Sequence, residues 1–495
     1  MRENPIRLQY SGFVIFSAKM FSVATGFIFQ YMIARYTSTV EYGIWFNIND
    51  VLGYFLVLAG VIPFWVVRFV ARSEEGAVKT GVLANLTISL VATIIYLVSV
   101  PLITSAIGVH QYTSLYLLAA LQVVEFYMLN VIEACLRARK PQVLGYGAVI
   151  AEIIKVSLGY ILIMRLQKPL EGAIIGIITA IAAQLIYYLK LLAEDFKQKI
   201  EWAYVKEWVK GSIANLYNVL GNQIAAFVFI LLFAYGGEGA RGYYGAASLI
   251  ANIVTYSTAL AFALYPKLLA EGKSEDVTTS FKTVLMFAIP MTIGALAAPG
   301  LYLSILEREY ASAWHVLVVL AIDALVATVS TLYGFVLYGF ERVDEGAKIS
   351  FKELLKSRMF IAFSLPYFHS AITIPSTYFV LTNFTLNQPV TSAFAVALIN
   401  SVARFTMFLI LYIMVRRMIK MVIPWKSIAK YVLASVVMGC LLHWLCLRLS
   451  LTRVYQALGI TVLAGIFYFA LLMVIDENAR VLVKSAWLEV KTKFE

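Results

Sequence analysis

Apolar runs of twenty or more residues recur from one end of this chain to the other. A helix of that length, rising about 1.5 Å per residue, matches the roughly 30 Å hydrocarbon core of a bilayer. At that depth every backbone N–H and C=O must be satisfied inside the protein, which leaves helices or closed barrels. The strict alternation of barrel strands is missing, so the chain reads as an all-α integral membrane protein. About fourteen transmembrane helices are predicted, at approximately 10–35, 42–67, 78–105, 112–136, 143–165, 170–192, 211–235, 242–268, 279–305, 311–338, 359–382, 390–415, 427–449 and 454–475. Composition agrees: of 495 residues 61% are hydrophobic and 14% charged, with a mean hydropathy of +0.82. The first run is too long for a signal-peptide core and lacks a small-residue cleavage site, so it is read as a retained span.

Lys and Arg set the orientation. With the N-terminus in the cytoplasm, the cytoplasmic segments hold 30 of the 40 Lys and Arg, the outer segments 7, and the spans themselves Lys19, Lys155 and Arg404. Both termini are therefore expected in the cytoplasm of a multi-pass protein of the cytoplasmic (plasma) membrane. The formal charge of +12 is on this reading a topology signal that also attracts anionic membrane lipids. It does not point to nucleic acid, since no soluble basic domain is present. Cys135, Cys440 and Cys446 are scattered along apolar runs and read as buried thiols. No pair among His110, His315, His369 and His443 has metal-ligand spacing, so neither a metal nor a cofactor is expected.

The chain repeats. Tyr42-Gly43 opens an apolar run that reaches Pro63, and Tyr244-Gly245 opens another that reaches Pro266. Gly12 and Gly211 begin the hydrophobic segments before each, and the Gly236-Gly237-Glu238-Gly239 turn absorbs the difference in spacing. Two similar halves follow: a six-helix lobe over 1–200, a second over 201–420, two additional helices over 421–475 and a cytoplasmic tail over 476–495. In transporters built this way the substrate site usually lies at the bilayer midplane. The link from Ala193 to Lys210 carries Trp202, Val205 and Trp208 at three-residue steps and is expected as a helix lying in the membrane interface.

Ionisable residues inside spans cost roughly 2.5–3.5 kcal/mol each on insertion scales, so each needs a reason. Lys19, Asp50, Glu125, Asp323 and Arg404 lie well inside spans, as do Glu152 and Lys155 three residues apart. Glu152 with Lys155, and Glu133 with Arg137, are placed to neutralise each other along one helix. Lys19, Asp50, Asp323 and Arg404 have no opposite charge within four residues. They either pair between helices or line a wet cavity. Asn215, Asn218 and Asn222 form one stripe of amides beside Gln223, suited either to gluing helices together or to binding sugar hydroxyls. Pro290, Pro299, Pro366 and Pro375 interrupt two spans and permit kinks. Asn383-Phe384-Thr385 has the form of a glycosylation sequon on the outer side.

Ile33-Ala34-Arg35-Tyr36 followed by Glu41-Tyr42-Gly43-Ile44-Trp45 resembles the first-loop signature of polysaccharide flippases of the multidrug/oligosaccharidyl-lipid/polysaccharide (MOP) exporter superfamily. Gly242-Tyr243-Tyr244-Gly245-Ala246-Ala247, ending in Leu264-Tyr265-Pro266, resembles that family's eighth helix. The resemblance implies two six-helix lobes in a V shape, two further C-terminal helices, and a central cavity that alternates between leaflets. It implies a polyprenyl-linked glycan as cargo, with glycan-assembly enzymes as partners. Cationic cavity residues are typical of such flippases, which makes Lys19, Lys155 and Arg404, with Asn215, Asn218 and Asn222, the candidate substrate-binding residues. Asp50, Glu152 and Asp323 are the candidates for H+ or Na+ coupling.

Two other readings compete. A cation-coupled drug exporter of the same fold would want an acidic, aromatic cavity, against which Lys19 and Arg404 argue. A membrane-embedded glycan ligase or polymerase would want a sizeable outer loop, yet every outer loop is short. No Walker motif, H-E-x-x-H, C-x-x-C or G-x-S-x-G appears either, so the chain is read as a transporter.

Overall fold

The computed structural model describes residues 8–261, 274–340, 357–419, 423–449, 454–477 and 479–480. The Leu264-Tyr265-Pro266 end of the second repeat, the link 341–356 and nearly all of the expected tail lie outside the described residues. Among the described residues all regular structure is helical. The chain divides into two compact units, Met1–Gly242 and Tyr243–Glu495.

The first unit contains α1 (Leu8–Tyr36), α2 (Thr39–Phe55), α3 (Val61–Ala71), α4 (Ala77–Ala106), α5 (Thr113–Arg139), α6 (Gln142–Gly159, continued by a wider π turn over Tyr160–Arg165), α7 (Pro169–Leu191), α8 (Trp202–Gly211), α9 (Ile213–Gly236) and the first turns of α10 (Glu238–Ala251). The second contains the rest of α10, a 3-10 turn over Val254–Ala261, α11 (Ser274–Ala297), α12 (Pro299–Leu306), α13 (Trp314–Phe340), α14 (Arg358–Asn383), α15 (Pro389–Met418), α16 (Trp425–Arg448) and α17 (Val454–Ile475). Ten of the described helical segments are long and apolar enough to cross a membrane. The other expected spans correspond to α1, the α2–α3 pair, α10 with its 3-10 extension, and α14.

Local chemistry sets the boundaries. Ser38 and Glu41 form a capping box at the start of α2: the Glu41 N–H donates to Ser38 Oγ at 3.2 Å and the Ser38 N–H to Glu41 Oε2 at 2.9 Å. Pro169, Pro299 and Pro389 occupy first helical positions, where the missing N–H costs nothing. Gly237 ends α9 with φ +89°, a conformation that favours glycine. The expected span 42–67 is two helices because Pro63 has no N–H for the Ala59 carbonyl and its ring would crowd that group. Side chains from other elements bond the backbone on either side of the break: Tyr127 Oη donates to Phe55 O at 2.9 Å and Ser212 Oγ to Val61 O at 3.2 Å. The span 279–305 divides in the same way between α11 and α12 at Pro299.

Each unit has its own core. In the first, Ile62, Val66, Val82, Val131, Tyr188 and Trp208 pack together; in the second, Phe281, Val284, Val336, Tyr431, Met438 and Tyr468 do. Only part of α8 keeps the interfacial character expected for it. Trp202 is 56% exposed, but Trp208 is fully buried against Phe69 and Tyr204. Of the cysteines, Cys135 is buried, whereas Cys440 is exposed on α16 and Cys446 partly so; all are free thiols.

Candidate functional site

The Tyr42-Gly43 pair sits where α2 crosses the start of α10. A Cβ on Gly43 would overlap the Glu238 carbonyl, and one on Gly242 would overlap the Thr39 carbonyl. The two backbones approach this closely because neither residue has a side chain. Two turns along α2 from this crossing, Asp50 accepts two hydrogen bonds from Arg241, Nε to Oδ2 at 2.7 Å and a terminal nitrogen to Oδ1 at 2.8 Å. Both side chains are largely buried, and the guanidinium lies between the Phe46 and Phe229 rings at 4.6 and 4.8 Å. Arg241, which the charge count places in an outer loop, is a helical residue that neutralises Asp50. Nearby, Tyr116 Oη donates to Asn47 Oδ1 at 2.5 Å and Tyr96 Oη to Tyr116 O at 2.8 Å.

Between α1 and α6, Lys155 donates to Glu152 at 2.7 Å, and Thr25 donates to the same carboxylate at 2.6 Å. Lys155 Nζ also stands 5.6 Å from the centre of the Phe29 ring. This pair is the mutual neutralisation that its spacing allows. Lys19 is exposed on α1 and close enough to Glu133 on α5 to act on its charge. Glu133 in turn accepts from Gln184 Nε2 at 3.3 Å, and that nitrogen also donates to Tyr188 Oη at 3.0 Å. On α9, Asn222 donates back to Asn218 at 2.9 Å to the carbonyl and 3.3 Å to Oδ1. Asn215 lies on the same helix, with its side chain outside the described residues. Gln223 lies beside Gly53 of α2.

In the second unit, Asp323 on α13 and Arg404 on α15 form an ion pair with Nε 2.9 Å from Oδ1. The approach is off-line, so the attraction is Coulombic more than directional. The Asp323 side chain is 10% exposed and that of Arg404 43%. The His369 ring lies near the Asn400 backbone and the Arg404 charge, and Ser401 stands beside Asp323. The same unit has a half-open pocket of about 240 Å³ lined by Phe287, Pro290, Met291, Tyr302, Met438 and Tyr468 among others, nearly all apolar; α11, α16 and α17 supply most of its lining, with Ile250 of α10 and Tyr302 of α12. Tyr302 Oη accepts from Thr461 at 3.3 Å and is one of its few polar groups.

The predicted site residues thus fall into separate clusters. Asp50 pairs with Arg241, Glu152 with Lys155, and Asp323 with Arg404. Residue spacing identifies only the second pair, because the other partners lie 191 and 81 positions away in sequence. An unpartnered Asp50 demands a cation, and Arg241 is the one basic residue near the second Tyr-Gly motif; that is the signal which could have found the pair. Nothing in the sequence marks Phe46 and Phe229 as the rings around it. Among the described residues no three His, Cys, Asp or Glu side chains are grouped to hold a metal.

No protein-family model matches the chain, and comparison with characterised proteins by sequence finds no relative. Solved structures do match. The fold is similar to that of the lipid II flippase MurJ in an inward closed conformation, with a TM-score of 0.68 at 14% identity, covering 95% of this chain and 100% of that one. It is similar to an inward-facing multidrug resistance MATE family transporter of the MOP superfamily, with a TM-score of 0.59 at 13% identity, covering 80% and 95%. A MATE protein in the straight conformation matches at a TM-score of 0.51 and 14% identity, over 83% and 96%. The class that fold and composition define is therefore a polytopic helical membrane protein with the fold of MOP-type transporters. Both kinds of matching protein, flippase and multidrug transporter, are transporters rather than enzymes.

Proposed function

We propose that this protein flips a polyprenyl-linked oligosaccharide across the cytoplasmic membrane by alternating access, supplying surface polysaccharide or glycoprotein glycan assembly. The observation that carries the reading is the pair of additional helices α16 and α17. With α11 they supply most of the lining of a half-open apolar pocket, chemistry suited to a prenyl chain that must stay in hydrocarbon while its headgroup moves. The exposed Lys19 and the partly exposed Arg404 are the cations suited to the diphosphate, and Asn218 and Asn222 suit sugar hydroxyls. Asn215 and Lys155 complete the proposed set. Both termini are placed in the cytoplasm, with pseudo-symmetric lobes over 1–200 and 201–420.

The second reading, a drug exporter coupled to H+ or Na+, draws on the MATE neighbours. It is disfavoured because Asp50, Glu152 and Asp323 are all held by cations and so offer little net negative charge to an organic cation. The test is leaflet exchange of a fluorescent polyprenyl-pyrophosphate oligosaccharide in proteoliposomes, followed by quenching. Protein-dependent exchange that collapses in Lys19→Ala and Arg404→Ala is expected. Absence of exchange, together with efflux of organic cations, would overturn the proposal in favour of the exporter.

A further inference from the structure

Where α2 packs beside α9, both helices carry amides well inside their spans. A Cβ on Gly53 of α2 would stand 3.1 Å from Gln223 Nε2, so the bare glycine backbone is the seat on which the Gln223 amide lies. Tyr54, next along α2, is close to the same amide. Its Oη is buried and has no hydrogen bond among the described residues. One turn back from Gly53, on the same face of α2, is Asn49. Beside Gln223 on α9 comes Asn222, with Asn218 one turn further back. By helical rise the group extends over about 13 Å of the seam, long enough for more than one sugar ring. All of it belongs to the first unit.

The exposed amides are turned the same way. Asn49 Nδ2 donates to Trp45 O at 2.7 Å. Asn222 Nδ2 donates to Asn218 O at 2.9 Å and to Asn218 Oδ1 at 3.3 Å. Each residue therefore uses its N–H groups on its own helix and presents Oδ1 outward. Both are exposed, and Asn222 lies near the middle of α9, where hydrocarbon offers an amide oxygen no donor. The chemistry that meets these oxygens is a hydroxyl or an N–H. An anion meets them badly, because carbonyl oxygens repel it. Arg241, the cation on this stretch of α2, already gives two hydrogen bonds to Asp50. An uncharged sugar satisfies the whole group: its hydroxyls donate to the amide oxygens and accept from Tyr54 Oη and the Gln223 amide. A uronic acid would instead bring a carboxylate against acceptors.

We propose that the α2–α9 seam is a subsite selective for uncharged, hydroxyl-bearing sugars, in which Asn49, Tyr54 and Gln223 act together with Asn218 and Asn222 and which rejects uronic acids. The inference rests on the flippase reading above. It separates the cargo's two chemistries: cations elsewhere hold the diphosphate, and amides here hold neutral sugar. Gly53 is a positioning residue, since only a residue without a side chain leaves the Gln223 amide where it lies.

The experiment is leaflet exchange by the full chain in proteoliposomes with three fluorescent polyprenyl diphosphates: one without sugar, one carrying glucose and one carrying glucuronic acid. The wild type should move the glucose lipid at least about tenfold faster than the glucuronic acid lipid. Asn222→Leu and Gln223→Leu should each slow the glucose lipid several-fold more than the sugar-free lipid. Gly53→Ala, which displaces the Gln223 amide without removing it, should act in the same direction. Asn222→Arg should narrow the preference for glucose over glucuronic acid. Equal wild-type rates for the two sugars overturn the subsite and leave the flippase reading standing, as does equal slowing of the glucose and sugar-free lipids in both leucine variants. Absence of exchange of all three lipids by the wild type removes both.

Discussion

Asp50 illustrates how a single residue is decided by a distant partner. Its carboxylate is held in two hydrogen bonds by Arg241 between two aromatic rings. Removing one member of such a buried pair leaves the other uncompensated and costs about 3–5 kcal/mol. Arg241→Met should therefore lower the thermal midpoint in detergent sharply, and Arg241→Met with Asp50→Leu should recover much of the loss. An unchanged midpoint in the single variant would show the pair to be dispensable. Gly43 makes a second test. Gly43→Ala drives a methyl into the Glu238 carbonyl and is expected to destabilise by about 1–3 kcal/mol. Gly26→Ala on α1 meets nothing within 4 Å and should be neutral or stabilising by up to about 1 kcal/mol. The sequence singles out Gly43 through its repeat, yet the reason, a backbone crossing with α10, is a contact between segments some two hundred residues apart.

At the scale of elements, the informative departures are a broken helix and a docked one. The α2–α3 break follows from Pro63 and is stabilised by Tyr127, whose hydroxyl meets the Phe55 carbonyl. Tyr127→Phe removes the bond to that partly buried carbonyl, an effect of about 0.5–1.5 kcal/mol, to be read as a lowered midpoint without loss of helical circular dichroism. Helix α8 has the tryptophan spacing of an interfacial helix, but packing uses the two rings differently. Trp208→Ala should cost about 3–5 kcal/mol through the cavity left beside Phe69 and Tyr204, while Trp202→Ala should change stability by less than about 0.5 kcal/mol. Equal effects of the two substitutions would return α8 to the membrane surface. The period of the apolar residues gives away the helix; which side of it meets protein is set by α3 and α4.

For the whole molecule, the charge count makes a topological statement that labelling can check. In a background with Cys440 and Cys446 replaced, Lys168→Cys should react with a membrane-impermeant maleimide applied to intact cells. Lys140→Cys should react only after permeabilisation. Both positions are exposed in the fold, so reversed reactivity would invert the proposed orientation. The ends of the second unit are also tied by charge: Lys430 on α16 reaches the fully buried Asp476 beyond α17 at 3.1 Å. A replacement of Asp476 by Asn should loosen α17, seen as faster proteolysis after residue 449.

The sequence by itself determines that the chain is an all-helical membrane protein of about fourteen spans and which residues start, stop or break its helices. Those properties are local: hydrophobic run length against bilayer thickness, capping chemistry, and the missing N–H of proline act within a few residues. Tertiary structure alone decides that Arg241 is a partner for Asp50 rather than a loop charge, that Arg404 pairs with Asp323, and that α11, α16 and α17 line an apolar pocket. Those outcomes depend on which helices lie side by side. Coulombic and packing energies of a few kcal/mol between distant segments choose among neighbours that hydropathy cannot tell apart.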